Sequence, residues 1–249
     1  MRGTVESEPW LDAQGRCFNP APRLSLCTTG AGGPCVVVDD ALANPQGLRA
    51  WAATQTYLPP AAYPYPGRVC ELAGELQARL ADFFAQHVRT HLEVRRALSL
   101  SLRLSLIDTP PAQLRPVQWQ CHRDRVADPQ QQLVYVASVL YLFDDPALGG
   151  TSFYRPRQSM AATEQLVADS QSLAAHEFSA RYALRPAYMA GGNAYFERTA
   201  QIPAAWNRLI FYDGSQFHSA DVDPARLHAD PLSGRLTLNS FITCSKRAR

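Results

Sequence analysis

Gln120-Cys121-His122-Arg123-Asp124 is the stretch from which the fold reads outward. It sets an imidazole and a carboxylate two residues apart, shortly before the apolar run Leu133 to Phe143. Residues i and i+2 of a β-strand point the same way, so His122 and Asp124 can converge on one metal ion, while Cys121 faces the core side. A third ligand is needed. His218 supplies it, in Phe217-His218-Ser219 just behind the apolar run Leu209-Ile210-Phe211-Tyr212. A cation follows, because Arg235 opens the alternating run Arg235-Leu236-Thr237-Leu238-Asn239, where a guanidinium can face an anion.

Around these residues the chain reads as short strands divided by turns. Leu98, Leu100, Leu102, Leu104 and Leu106 alternate with Ser99, Ser101, Arg103 and Ser105, a period of two that puts leucines on one face and polar groups on the other. That polar face either lines a cavity or belongs to a half-exposed sheet. Leu133 to Phe143 is apolar throughout, as in a strand buried on both faces. Asp144-Asp145-Pro146 then turns the chain toward Gly149-Gly150-Thr151-Ser152-Phe153. Further strands are predicted at Ala194 to Glu197, Asn207 to Tyr212 and Arg235 to Cys244. The pattern is that of a mainly β protein with flanking helices, a sandwich or jelly roll.

Ahead of this core, residues 1–34 are rich in Gly, Pro, Thr and Ser and predict an irregular arm. Cys35 to Val38 predicts a short strand, followed by a helix from about Ala41 with Asp39 or Asp40 as its cap. The Pro-rich segment Leu58 to Pro66 predicts a loop near the site or the surface. Between Cys70 and Arg96, Leu72, Leu76, Leu80, Phe83, Phe84, Val88 and Leu92 recur at three and four residues, which predicts one long bracing helix. Residues 157–192 break the strand rhythm. Ala161 to Ala175 is helix-favouring, so this segment reads as an insertion between strands, and such insertions beside a barrel mouth shape substrate choice.

Composition bounds the function. The 249 residues suffice for one domain, and 46% hydrophobic against 18% charged residues is the balance of a folded protein. A formal net charge of +2 with dispersed basic residues argues against nucleic acid, and Lys246, Arg247 and Arg249 read as a solvated tail. The absence of a membrane-length apolar run or a signal-like start predicts a cytoplasmic protein with no membrane partner. The six cysteines form no C-x-x-C pair and are expected as free thiols. His87 and His91 share a helical spacing, but Val88 stands where a zinc protease needs Glu, so a solvated pair is the plainer reading. His122-Arg123-Asp124 is not a kinase catalytic loop, since position 129 is Pro rather than Asn.

Two histidines and one carboxylate with open coordination positions form the facial pattern of non-haem iron(II) oxygenases. Taken in order, His122, Asp124, His218 and Arg235 resemble the iron(II)- and 2-oxoglutarate-dependent oxygenases, more narrowly their prolyl-4-hydroxylase-like bacterial branch. Tyr141 to Asp145 leading to Gly149-Gly150, Asn207 to Phe211, and Arg235-Leu236-Thr237 extend the resemblance over about residues 98 to 245. It implies a double-stranded β-helix (jelly roll, cupin-like barrel) as one oxygenase domain over 1–249, with strand and bracing helices over 35–96 and the core over 97–245. It implies iron(II) on His122, Asp124 and His218, 2-oxoglutarate as co-substrate and dioxygen as oxidant, with succinate and carbon dioxide released.

Within that resemblance Arg235 takes the distal carboxylate, Thr237 adds a hydroxyl from the same strand face, and Tyr135 or Tyr141 adds another. Arg235 lies 17 residues beyond His218, farther than is usual in these oxygenases, and Arg226 is the rival. Asp124 at the carboxylate position points to hydroxylation rather than halogenation. The expected partner is a small-molecule or peptide substrate. Two other readings stand beside this one: a cupin-like metalloprotein that uses no 2-oxoglutarate, and a non-enzymatic binding module on the same fold.

Overall fold

A computed structural model describes residues 8–30, 33–60, 64–126, 130 and 132–246. In chain order the elements are β1 (Arg23–Thr28), β2 (Pro34–Asp39), α1 (Pro45–Ala53), β3 (Gly67–Leu72), α2 (Glu75–Phe83), β4 (Val94–Ile107) and β5 (Leu133–Tyr141). They continue with β6 (Thr151–Pro156), α3 (Met160–Ser172), α4 (Ala175–Tyr182), β7 (Phe196–Ile202), β8 (Leu209–Asp213), β9 (Phe217–Ala220) and β10 (Arg235–Lys246). The protein is mainly β, with few helices. Seven strands form one sheet in the order β1-β2-β8-β5-β10-β4-β3, and three form a second in the order β7-β6-β9. The strand pairs are antiparallel. His122 bridges His218 and so extends the smaller sheet beyond β9 with the ligand-bearing segment.

The leucine alternation determines what each side of the large sheet does. Leu102, Leu104 and Leu106 of β4, Leu236, Leu238 and Ile242 of β10, and Leu140 of β5 all lie in one core with Leu48 of α1 and Leu76, Leu80 and Phe83 of α2. This is the helix-covered face. The opposite residues fall into rows across β4, β10 and β5: Ser105 with Thr237 and Tyr141, then Arg103 with Asn239 and Val139, then Ser101 with Phe241 and Ala137. Ala137 and Tyr141 join Phe153 of the small sheet in a second core, so this face looks inward. At Arg103 and Ser105 the polar face of β4 is thus the inner one, while Ser99 and Ser101 are exposed.

Three expectations change in the described residues. The helix expected from about Ala41 with Asp39 or Asp40 as its cap begins instead at Pro45, and its cap is Asn44, whose side chain accepts from Gly47 N–H at 3.0 Å. Residues 23–28, read as part of an irregular arm, form β1, because Leu24 and Leu26 pair across to Val38 and Val36 of β2. The long helix over 70–96 is instead β3, α2 and a single π-turn over Phe84–Val88. Gly74, with φ of 86°, breaks the chain between strand and helix, and Cys70 and Leu72 satisfy their backbone on the edge of β4. The apolar spacing holds from Leu76 to Val88, where burial follows it. The 157–192 segment carries α3 and α4, whose Leu166 and Phe178 share a third core with Trp119 and Cys121. Residues 247, 249 and 129 lie outside the described residues.

Candidate metal centre

The segment His122 to Asp124 is held from one side by β9 and the turn before it. His122 N–H donates to His218 O, His218 N–H to His122 O, each at 2.9 Å, and Asp124 N–H donates to Gly214 O at 2.9 Å. These bonds set His122 and His218 side by side, with ring centroids 4.5 Å apart. His122 Nε2 lies 3.6 Å from Asp124 Oδ1, and His218 Nε2 lies 3.5 Å from Asp124 Oδ2. Among the described residues this is the one group of three whose ligand atoms all lie within 4.8 Å of one another. Cys121, as expected, is turned into the core.

Three details fit a cation at the centre. His218 Nδ1 meets Gln216 O at 2.9 Å, and since a carbonyl only accepts, Nδ1 carries the proton and Nε2 offers its lone pair toward Asp124. Asp124 Oδ2 is buried with no hydrogen-bond partner, an arrangement that is costly unless a ligand completes it. The separations between ligand atoms exceed a hydrogen bond and approach the roughly 3 to 3.5 Å between two ligands that each lie about 2.1 Å from one ion. The donor set, two imidazoles and a carboxylate, suits a divalent transition metal such as iron(II). His122 is half exposed, so the open side of the centre meets solvent.

Electrostatics agree. Burial works against the Asp124 carboxylate, but His218, His122 and the Arg103 guanidinium prevail and hold it below the usual carboxylate range. Burial draws His218 below the ordinary imidazole value of 6.5, against the pull of Asp124. Both groups therefore favour their metal-binding forms near neutral pH.

The remaining sequence candidates divide between two ends of the inner face. Arg235 is 4% exposed, and its Nε and Nη2 donate to Gly149 O at 3.1 Å and Gly150 O at 2.8 Å. Its guanidinium lies over Tyr141 and Phe143, and it forms no ion pair among the described residues. Gly150 has no room for a side chain beside β7, since a Cβ there would come 2.0 Å from Ile202 O. Tyr141 donates to or accepts from Thr151 Oγ1 at 2.9 Å, and burial pushes its phenol up to about 12. Thr237 shares the face, its hydroxyl donating to Ser105 O at 3.4 Å.

Tyr135 stands at the other end of β5, opposite Thr243, under Arg125. It does not meet Arg235. Arg226 is half exposed in ion pairs with Asp145 and Asp223, on the surface rather than the inner face. Arg123 lies over Phe217 and pairs with Glu164 of α3, which ties the insertion to the ligand segment.

Four contributors were not singled out from the sequence. Gly214 leaves room for the carboxylate, since a Cβ there would approach Asp124 Oδ2 to 2.8 Å and displace it. Gln216 orients His218 through its backbone, which no side-chain pattern reports. Asn239 continues the i, i+2 alternation of Arg235 and Thr237, so a signal existed for it. Tyr65 reaches the inner face from the loop before β3, among Arg235, Arg103 and Ser105, and only tertiary structure reveals that.

Fold and site together define a two-sheet β protein with a two-histidine, one-carboxylate metal-binding group between its sheets. The chain belongs to the family described as "Family of unknown function (DUF6445)", whose model matches residues 20–242. No curated protein matches it by sequence. Among solved structures it is similar to HygX from Streptomyces hygroscopicus with nickel and 2-oxoglutarate bound, at 13% identity over 88% of this chain and 84% of that one, TM-score 0.49. It is also similar to HygX with iron bound, at 15% identity over 89% and 86%, TM-score 0.46. A third is the epimerase SnoN in complex with Fe3+, alpha ketoglutarate and nogalamycin RO, at 14% identity over 87% and 81%, TM-score 0.44. At these identities and scores no residue's role follows from the likeness.

Proposed function

We propose that the protein is an iron(II)- and 2-oxoglutarate-dependent dioxygenase that hydroxylates a C–H bond of a small molecule, amino acid or peptide, on a double-stranded β-helix. The observation that carries this is the convergence of His122, Asp124 and His218 with a buried, unpartnered Asp124 oxygen at their centre. The strand order supports the fold name. β4-β10-β5-β8 of the large sheet faces the ligand segment, β9, β6 and β7 of the small one, so successive core strands alternate between sheets except at β6 and β7, which pair within the small one. The motif order His122, Asp124, His218, Arg235 supports the prolyl-4-hydroxylase-like branch.

In this reading His122, Asp124 and His218 hold the iron, and Arg235 receives the far carboxylate of 2-oxoglutarate. A buried guanidinium bonded only to neutral carbonyls leaves a positive charge for an anion to neutralise. Iron(II) and 2-oxoglutarate, when bound, supply the oxidising chemistry with dioxygen and release succinate and carbon dioxide. Phe143, Phe153 and Tyr212 make the floor apolar and keep water from the interior side, which leaves substrate to enter on the side where His122 is exposed. Gln216 fixes the His218 tautomer.

The test is direct. Purified protein supplied with iron(II), 2-oxoglutarate and dioxygen is expected to form succinate, and His218→Ala is expected to form none. Equal succinate from His218→Ala would remove that residue from the centre, and no succinate from wild type under any substrate mixture would refute the activity.

A further inference from the structure

The inner face between Arg235 and the metal cluster holds two buried polar atoms with no hydrogen-bond partner: the Tyr65 hydroxyl and Asn239 Oδ1. Such atoms are uncommon in a folded interior and each destabilises the ligand-free protein. They lie close together. Asn239 Nδ2 donates to Ser105 Oγ at 3.3 Å, and Ser105, Arg103 and Arg235 all surround Tyr65. The Arg103 guanidinium lies over the Tyr65 ring at 5.5 Å and over Phe241 at 4.5 Å. Burial raises the Tyr65 phenol above its ordinary range although both arginines and the Ser105 hydroxyl beside it oppose this, so it remains a protonated donor at neutral pH, next to Ser105 but with no partner in full hydrogen-bond geometry.

Register locates this pair relative to the metal. Ala137 and Phe241 share a row at the level of Tyr212, which touches His218, and Asn239 lies one row nearer Arg235. Rows on one face are about 6.7 Å apart, so a five-carbon diacid held at the metal by one end spans about one row and carries its other end to the level of Asn239. The Ser105 hydroxyl can donate as well as accept. The Asn239 carboxamide can therefore turn and present its N–H to such a ligand without losing Ser105.

We propose that Tyr65 and Asn239 are co-substrate-binding residues, whose hydroxyl and carboxamide hold the 2-oxoglutarate carboxylate that Arg235 neutralises. This rests on the iron(II) and 2-oxoglutarate reading. It adds a donor from outside the core strands, on the loop before β3, and a residue two beyond Thr237.

The experiment is calorimetric titration of 2-oxoglutarate into zinc(II)-loaded protein, zinc being redox-silent, with zinc affinity and ligand-free Tm measured in parallel. Tyr65→Phe is expected to weaken 2-oxoglutarate about tenfold or more, the effect of one hydrogen bond to a charged group, and to leave zinc affinity unchanged. Its ligand-free Tm is expected to hold or rise, because a stranded hydroxyl is removed. Asn239→Ala is expected to weaken 2-oxoglutarate similarly, and gives an independent result if Tyr65→Phe does not fold. Wild-type affinity in both variants overturns the assignment, as does a lowered Tm in Tyr65→Phe with unchanged affinity, which marks a structural hydroxyl. If Arg235→Gln alone loses 2-oxoglutarate, this subsite fails while the co-substrate reading stands. If wild-type zinc protein binds none, both fail.

Discussion

The two faces of β4 and β10 are made by the same strands with opposite chemistry. Outward, Leu102, Leu104, Leu106, Leu236 and Leu238 are at most 2% exposed against the helices. Inward, Ser105, Thr237, Asn239 and Arg235 are buried or half-buried, and Asn239 Oδ1 has no hydrogen-bond partner. One face is where the fold gains its stability, and on the proposed reading the other gives some of it up to hold a metal and an anion. The comparison makes a sharp claim: outward changes should cost stability and spare ligands, and inward changes should do the reverse.

The largest expected effect is at the cluster. Asp124→Ala should reduce metal affinity by at least a hundredfold, in line with the loss of one of three ligands, without lowering Tm, since a buried unpartnered oxygen is removed; competition against a chelating dye reads the first and calorimetry the second. Leu104→Ala is the outward counterpart. It should destabilise by about 2–5 kcal/mol while the folded fraction binds metal as wild type does, and reduced metal affinity in that fraction would break the division between faces. Arg235→Gln should weaken 2-oxoglutarate about a hundredfold with metal affinity kept.

A smaller effect concerns pH. Protons compete with metal for His218 and Asp124, and both are held below their ordinary values in the folded protein. Proton competition at His218 and Asp124 should therefore set in only below the imidazole value of 6.5. A His218 ring that takes up its proton above 6.5 in an NMR titration of the metal-free protein would mean that burial does not govern His218. Arg226→Ala should change 2-oxoglutarate binding least of all, because its guanidinium is committed to two surface carboxylates.

What the sequence made legible follows the range of the interactions involved. His122 and Asp124 were readable because a two-residue spacing has one meaning on an extended segment, and the leucine alternation of β4 was readable for the same reason. That the polar side faces inward was not, since alternation is symmetric until α1 and α2 are seen covering the leucines. The boundary of α2 was misread because Cys70 and Leu72 fit a helical spacing as well as a strand on the edge of β4, and only Gly74 separates the two. β1 was hidden among Pro, Gly and Ser because its strand character comes from pairing with β2. Tyr65 joins the site across a sheet, and Gly214 through a missing Cβ, and neither leaves a local pattern.

The central claim is that the inner face binds iron(II) and 2-oxoglutarate at one centre. Anaerobic titration of the apoprotein with iron(II) and 2-oxoglutarate, followed by visible absorption, tests it most directly. The account predicts a charge-transfer band that needs both additions and is absent in Asp124→Ala. Tight iron binding with no band on adding 2-oxoglutarate would contradict it.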